Sequence, residues 1–298
     1  MSISKKATTF SSILLVVPTG IVNGADWATT TSSHFTLAYD QREERLAEQV
    51  IGSAEDGLER MAKWLAFRPG EKLRIWLCST ESQFDSLTKS GIPDWGIGCA
   101  FPESGTIVLK SPRVVRRNLD LKTIVSHEIS HVLLGQVLGD FMPPRWFDEG
   151  VAIYQSKEWR LGDGFALGWA SLFSRLIPLS ELETSFPAKE RRANLAYTEG
   201  FSAVSFMVRE YGEDTLRELI FSVAKQGDFE KALRESFGLR YEEFEKVWLA
   251  FVSKNYNIPY LLTTTPLFWA GMALLVLFIF LAKRAKAKRR MAEPDFIQ

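Results

Sequence analysis

Histidine and cysteine are both scarce in this chain, with three of the first and two of the second in 298 residues. Neither cysteine, Cys78 or Cys99, has a second cysteine at metal-binding spacing, which excludes a thiolate zinc site. Each lies at the edge of an expected strand. One disulfide joining neighbouring strands and two free thiols are therefore both open readings. Net charge is lacking too, because 36 Lys and Arg balance 36 Asp and Glu. The balance is uneven along the chain. Setting aside Lys5, Lys6 and the net four positive charges from Lys283 onward leaves −6 for the middle. A mildly acidic body argues against nucleic acid as a partner. Apolar residues are plentiful at 46%, enough for one sizeable core or two small lobes.

Two of the three histidines fall in one stretch, Ile124-Val125-Ser126-His127-Glu128-Ile129-Ser130-His131-Val132-Leu133-Leu134. Read as a helix, it stacks His127 over His131 on one face. Two imidazoles at that spacing reach one metal ion, and Glu128 sits beside them to take a proton from a water at the metal. Leu121, Ile124, Val125, Ile129, Val132 and Leu133 nearly surround the rest, so the helix is expected to be buried. The competing reading is a core helix whose histidines hydrogen-bond internally. The third histidine, His34, reads as a surface residue near the start of a strand.

Downstream, Gly139 suits the C-cap of this helix. Pro143 and Pro144 permit a sharp turn, and a second helix is expected to begin near Arg145. Glu149 falls in its first turn, where a carboxylate is favoured by the helix dipole, and can return to the metal as third ligand. Three protein ligands with one position left for water is the pattern of a catalytic zinc site. Taken alone, Glu149 would read as an exposed glutamate at a helix start.

His127-Glu128-x-x-His131, followed after seventeen residues by Glu149 within Trp146-Phe147-x-Glu149-Gly150-x-Ala152, resembles the gluzincin metallopeptidases. Within them it is similar to the bacterial peptidase-MA-like proteins, whose catalytic core resembles that of the aminopeptidase N family. The resemblance covers roughly residues 34–252. It implies one zinc per chain held by His127, His131 and Glu149, with Glu128 as general base and a peptide or protein as substrate. Tyr197, in Ala196-Tyr197-Thr198-Glu199-Gly200, stands where such peptidases often place an oxyanion-stabilising hydroxyl. Tyr154, one turn past Glu149, is its rival, and a core tyrosine opening a helix is the competing reading. There is no Gly-x-Met-Glu-Asn motif, so amino-terminal trimming is not implied. Ile153 occupies the position four after Glu149, where thermolysin-type enzymes carry an acid that braces a ligand.

Around these motifs, His34 to Tyr39 alternates as a strand and residues 41–66 form an amphipathic helix. Lys72 to Leu77 reads as a second strand, followed by a polar helix from Glu81 to Lys89. Gly98-Cys99-Ala100-Phe101 and Thr106-Ile107-Val108-Leu109 flank a turn and read as a hairpin. An edge strand there can pair with an extended peptide, though an ordinary hairpin explains the pattern equally well. Beyond Leu195, segments near 197–210, 213–226, 228–237 and 240–255 carry helical periodicity and are punctuated by Gly212, Gly227 and Gly238. The expected fold is α+β: a small mixed-sheet upper lobe with the zincin-type helix, an α-helical lower lobe, and one C-terminal transmembrane helix.

Residues 1–25 read as a secretory signal, with Lys5 and Lys6 before a short apolar run broken by Pro18 and Gly20. An uncleaved anchor is the alternative. Residues 26–257 form the expected extracytoplasmic domain and 258–282 the transmembrane segment. Within that segment, Leu261 to Ala282 is free of charge and about 33 Å long as a helix. Residues 283–298 form a basic cytoplasmic tail. The expected protein is a single-pass zinc metallopeptidase of a bacterial cell membrane, touching lipid through that helix, its oligomeric state undetermined. A catalytically silent peptide-binding module and a zinc hydrolase of a non-peptide bond are the other readings of the same site.

Overall fold

Alternating apolar residues build a five-stranded sheet in a computed structural model that describes residues 27–89, 96–116, 120–158, 161–187, 189–258, 260 and 266–292. The expected signal at 1–25 lies outside these residues. The strands are β1 (Trp27–Thr31), β2 (Phe35–Asp40), β3 (Leu73–Cys78), β4 (Gly98–Phe101) and β5 (Thr106–Lys110), in the order β1-β2-β3-β5-β4. β2, β3 and β5 run parallel, while β1 and β4 pair antiparallel at the two edges. The sheet is therefore mixed, as the sequence leads one to expect. β1 escapes the pattern reading because Trp-Ala-Thr-Thr-Thr never alternates large apolar residues.

The period-2 alternation assigns each face its own core. Leu37, Ile75, Leu77, Ile107 and Leu109 join the main core, while Cys78 and Val108 turn to a second, smaller cluster. That second face is covered by α2 (Glu81–Thr88), which contributes Phe84 and Leu87. The main face is covered by α1 (Glu44–Leu65), whose Ala47, Val50, Ala54, Leu58, Met61 and Leu65 make one buried stripe. A one-turn helix, α3 (Pro112–Val115), links the sheet to α4 (Leu121–Leu138). This is the histidine helix, buried on nearly every side as expected. Asp120 caps its start by accepting from Thr123 N, and Gly139 ends it at φ +60°. Completely buried Val132, Leu133 and Leu134 stabilise its placement by about 1.5–3 kcal/mol each.

The lower half is helical: α5 (Arg145–Ser156), α6 (Leu161–Leu172), α7 (Glu190–Tyr211), α8 (Glu213–Gln226), α9 (Phe229–Phe237) and α10 (Tyr241–Asn255). α5 and α7 cross at Gly150 and Gly200. A Cβ on Gly200 would sit 2.5 Å from Trp146 O, and one on Gly150 would sit 2.7 Å from Gly200 C. Only paired glycines allow the two backbones this approach. α6 is absent from the pattern reading because Gly162, Gly164 and Gly168 depress its helix propensity. α7 begins at Glu190, seven residues earlier than the periodicity suggests, so Tyr197 lies inside the helix rather than opening it.

The disulfide reading is corrected here. Cys78 lies on β3 and Cys99 on β4, with β5 between them, opposite Lys110 and Val108 respectively. Two strand spacings of about 4.8 Å exceed what a disulfide spans, and both cysteines are free.

A final helix, α11 (Pro266–Ala292), carries an apolar window from Phe268 to Lys286 with mean hydropathy 1.8, none of it buried against the protein. Residues 261–265 of the expected span lie outside the described residues. The helix continues without a break into the basic cluster that begins at Lys283.

Candidate metal centre and cleft

α4 presents His127 and His131 four residues apart, and their Nε2 atoms face one another at 3.1 Å. α5 begins where Pro144 fixes the backbone and Arg145 N donates to Glu183 O. Its first turn is clamped by aromatic packing. Trp146 stacks on Phe244 at 5.9 Å, meets Phe229 edge-on, and donates through its indole N–H to Tyr241 Oη at 2.8 Å. That clamp holds Glu149 with its Oε2 3.4 Å from His127 Nε2 and 3.5 Å from His131 Nε2. Among the described residues, these three side chains form a group able to hold a metal ion.

The triangle has the right size for zinc. Bonds of 2.0–2.1 Å at tetrahedral angles place ligand atoms about 3.3 Å apart. The orientation of the donors fits as well. His131 donates from Nδ1 to Asp148 Oδ1 at 2.9 Å, which fixes the tautomer and leaves the Nε2 lone pair directed at the centre. His127 Nδ1 faces Glu158 Oε2 at 3.1 Å, close but off the line of a direct hydrogen bond. Arg145 donates to Glu149 Oε1 at 2.9 Å and so leaves Oε2 for the ion.

The electrostatics point the same way. Burial opposes charge on His127, but Glu149 and Glu158 outweigh it and raise the group to about 9. His131 is likewise raised against its burial by Asp148 and Glu149. Burial alone would raise Glu149, yet the histidines and Arg145 hold it well below the usual carboxylate range. A buried anion (5% exposed) beside two imidazoles that attract protons is a place where a divalent cation can replace those protons.

Glu128 is 7% exposed and lines a cleft of about 630 Å³ together with His127, Tyr197, Ile97 and Gly98. Burial raises its carboxyl above the ordinary value, with Glu149 and Glu158 adding to the effect and the histidines opposing it. Gly98 on β4 makes this position possible, since a Cβ there would lie 2.7 Å from Glu128 Cδ. Tyr197 also lines the cleft and shares a hydrogen bond with Arg145. Burial, then Glu149, pushes its hydroxyl pKa up. Its ring meets Phe186 edge-on at 4.8 Å. Tyr154 points elsewhere, its hydroxyl donating to Glu213 Oε1. His34 bonds Glu55 Oε2 at 2.7 Å and remains 43% exposed, a partly solvated residue beside β2.

Four of the five sequence candidates thus converge at the His127–His131–Glu149 triangle and its edge, and Tyr197 stands across the same cleft. Asp148, Glu158 and Arg145 were missed by sequence reasoning. Asp148 and Arg145 stand beside or one turn from Glu149, but nothing in a charged residue at a helix start distinguishes a brace from a solvated side chain.

Residues 53–254 match the family model described as Peptidase MA superfamily. Among curated proteins, the uncharacterized protein YhcO of Bacillus subtilis (strain 168) is 27% identical over 140 residues, covering 44% of this chain and 41% of that protein. Among solved structures, an M1 zinc metallopeptidase from Deinococcus radiodurans is similar over 75% of this chain and 51% of its own, with 17% identity and TM-score 0.45. Leukotriene A4 hydrolase from Saccharomyces cerevisiae is similar over 75% of this chain and 39% of its own, with 14% identity and TM-score 0.47. The chain spans about two fifths of the Bacillus protein and about half of the Deinococcus one.

Proposed function

Because the chain belongs to the Peptidase MA superfamily, we propose that it is a membrane-anchored zinc metallopeptidase that hydrolyses peptide bonds. The observation that carries this reading is the convergence of His127 Nε2, His131 Nε2 and Glu149 Oε2 at tetrahedral-edge spacing. When bound, zinc polarises the scissile carbonyl and lowers the pKa of water toward about 7. Glu128 takes the proton of the attacking water and later passes it to the leaving amine. Its raised pKa brings it nearer the poise of a base that must also act as an acid. Tyr197, reaching into the cleft from α7, donates its hydroxyl to the carbonyl oxygen as negative charge develops there.

β4 is an edge strand bordering the same cleft through Gly98, with Ile97 immediately before it. Among the described residues no strand pairs with its outer edge, which supports binding of an extended peptide by strand addition. The lining carries Glu81, Glu158, Asp163 and Glu190 against Lys110, which favours basic peptides over acidic ones. α11 serves as the anchor, with residues 26–257 outside and the basic end cytoplasmic by the positive-inside rule.

The test is a peptide-library digest by wild type and Glu128→Gln, with zinc measured in both. Glu128 is not a ligand and the amide is nearly isosteric, so the variant keeps its metal. It is expected to lose on the order of 10²–10⁴-fold in turnover. Equal cleavage by both proteins would remove Glu128 as base, and peptide binding without cleavage by either would leave a binding module.

A further inference from the structure

We propose that the outer face of α6 rests in the headgroup–acyl boundary of the bilayer, seating the domain on the membrane. Between Gly162 and Phe173 the exposed positions are Gly162, Phe165, Ala166, Trp169, Leu172 and Phe173, none of them polar. Trp169 is 47% exposed, Leu172 48% and Phe173 49%. The aromatic rings form one continuous surface. Phe165 and Trp169 stack at 6.0 Å, and Trp169 meets Phe173 at 4.6 Å. The opposite face of the helix, with Gly164, Leu167, Gly168 and Ala170, is buried against the protein. Apart from Asp163 and Ser171 the helix is apolar on both its faces, and here one of those faces is left open.

The position of this face identifies the cover as lipid. Tyr260 lies directly over Gly164, its Cζ 3.0 Å from where a Cβ would stand, and Tyr256 packs against Tyr260 at 5.0 Å. Tyr260 thus packs on the covered side of α6, and the chain leaves the folded body beside this helix, with the open face on its other side. The apolar window of α11 begins at Phe268, eight residues beyond Tyr260 and so no more than about 28 Å away even if fully extended. Trp, Phe and Leu on one helical face are the composition of an interfacial helix, and Tyr and Trp favour the headgroup level. Arg175 stands beside the patch, its guanidinium 5.9 Å from the Phe173 ring centroid, where it can meet lipid phosphate. Because Asp163 at the start of α6 borders the cleft, seating the helix in the interface holds the cleft within about one helix diameter, 10–12 Å, of the lipid. Substrates then arrive as membrane-proximal segments of chain.

This inference rests on the reading of α11 as an anchor, so the experiment separates the two. Full-length protein is reconstituted into phosphatidylcholine–phosphatidylglycerol vesicles and floated on a density gradient; failure to float overturns the anchor itself. On floating protein, a small fluorophore is attached at Phe165→Cys, at Phe173→Cys and at the control Glu48→Cys on α1. The native thiols are pushed up to about 12 by burial and react slowly. Lipids bearing a nitroxide high on the acyl chain are expected to quench most emission at both α6 positions and little at Glu48, in variants that retain native zinc content and near-UV dichroism. Emission at α6 that aqueous iodide quenches and the nitroxide lipid does not would overturn the proposal. Emission shielded from both quenchers would overturn it equally, since a protein partner or a second copy would then be the cover.

Discussion

Arg145 Nη2 donates to Glu149 Oε1 at 2.9 Å across one helical turn, while the other oxygen of the same carboxylate faces both His127 and His131. The guanidinium also shares a hydrogen bond with Tyr197. One side chain therefore sets the orientation of the third ligand candidate and of the hydroxyl across the cleft. Arg145→Met is expected to weaken zinc binding by roughly 10–100-fold, the usual effect of removing a ligand's brace. Arg145→Lys should rescue it only in part, because the ammonium is a compact point charge without the rigid planar fork that holds two partners in fixed geometry. Competition with a calibrated chelator measures both. Wild-type affinity in the methionine variant would show that Glu149 orients itself.

Asp148 plays the corresponding part for His131, and Glu158 a weaker one for His127, whose Nδ1 it approaches off-line. Asp148→Ala should lower zinc affinity by roughly 10–100-fold, and Glu158→Ala by less. The reverse ranking, read by the same chelator competition, would mean that His127 is the more dependent ligand.

The sequence made the candidate ligands legible because the chemistry proposed for them demands fixed spacing. His127 and His131 share a helical face only at an interval such as four, and Glu149 follows a turn that Pro143 and Pro144 announce. Their braces were not legible, since Asp148, Glu158 and Arg145 acquire meaning only when α4 and α5 pack together. α6 was hidden for another reason. Gly162, Gly164 and Gly168 depress its intrinsic propensity, and close packing of Gly164 against Tyr260 overrides that cost. The cysteines illustrate the limit of strand assignment. Both strands were legible, but their separation by β5 is a matter of topology, which periodicity does not carry.

Tyr197 and Tyr154 are separated by their partners. Tyr197→Phe should lower kcat by about 10²–10³-fold with little change in KM, as for loss of one oxyanion donor. Tyr154→Phe should leave turnover near wild type, because its hydroxyl is engaged with Glu213 and does not line the cleft. Steady-state kinetics on one cleaved peptide decides it, and a larger defect in Tyr154→Phe would reverse the assignment.

The crossing of α5 and α7 offers a stability test remote from the chemistry. Gly200→Ala would drive a methyl against Trp146 O, a backbone atom that cannot rotate away. The cost is expected to be about 1–3 kcal/mol, typical of overpacking, and visible as a lower unfolding temperature. Because Trp146 begins the turn that carries Glu149, zinc affinity should fall in the same variant. An unfolding temperature equal to wild type would mean that the helices separate at little cost.

Glu199 is completely buried on α7, with its two carboxylate oxygens 3.0 and 3.2 Å from Ile177 N. Burial raises its pKa from 4.5 to about 8; the charge of Glu245 adds to this, while the Ile177 N–H and Arg192 oppose it. The folded protein therefore holds this proton between pH 4.5 and about 8, whereas the unfolded chain releases it near 4.5. Where the native state binds more protons, stability falls as pH rises. The contribution is fully present below pH 4.5, declines toward pH 8 and levels off above it. Glu199→Gln cannot ionise, and its amide oxygen can still accept from Ile177 N. Relative to wild type, the variant is expected to gain stability from pH 5 to about 8 and to hold that gain to pH 9, by on the order of a few kcal/mol at the alkaline end. Paired denaturant titrations across that range read the difference directly and cancel groups common to both proteins, including His127 and His131. Parallel stability–pH curves would mean that Glu199 is ionised in the fold at neutral pH.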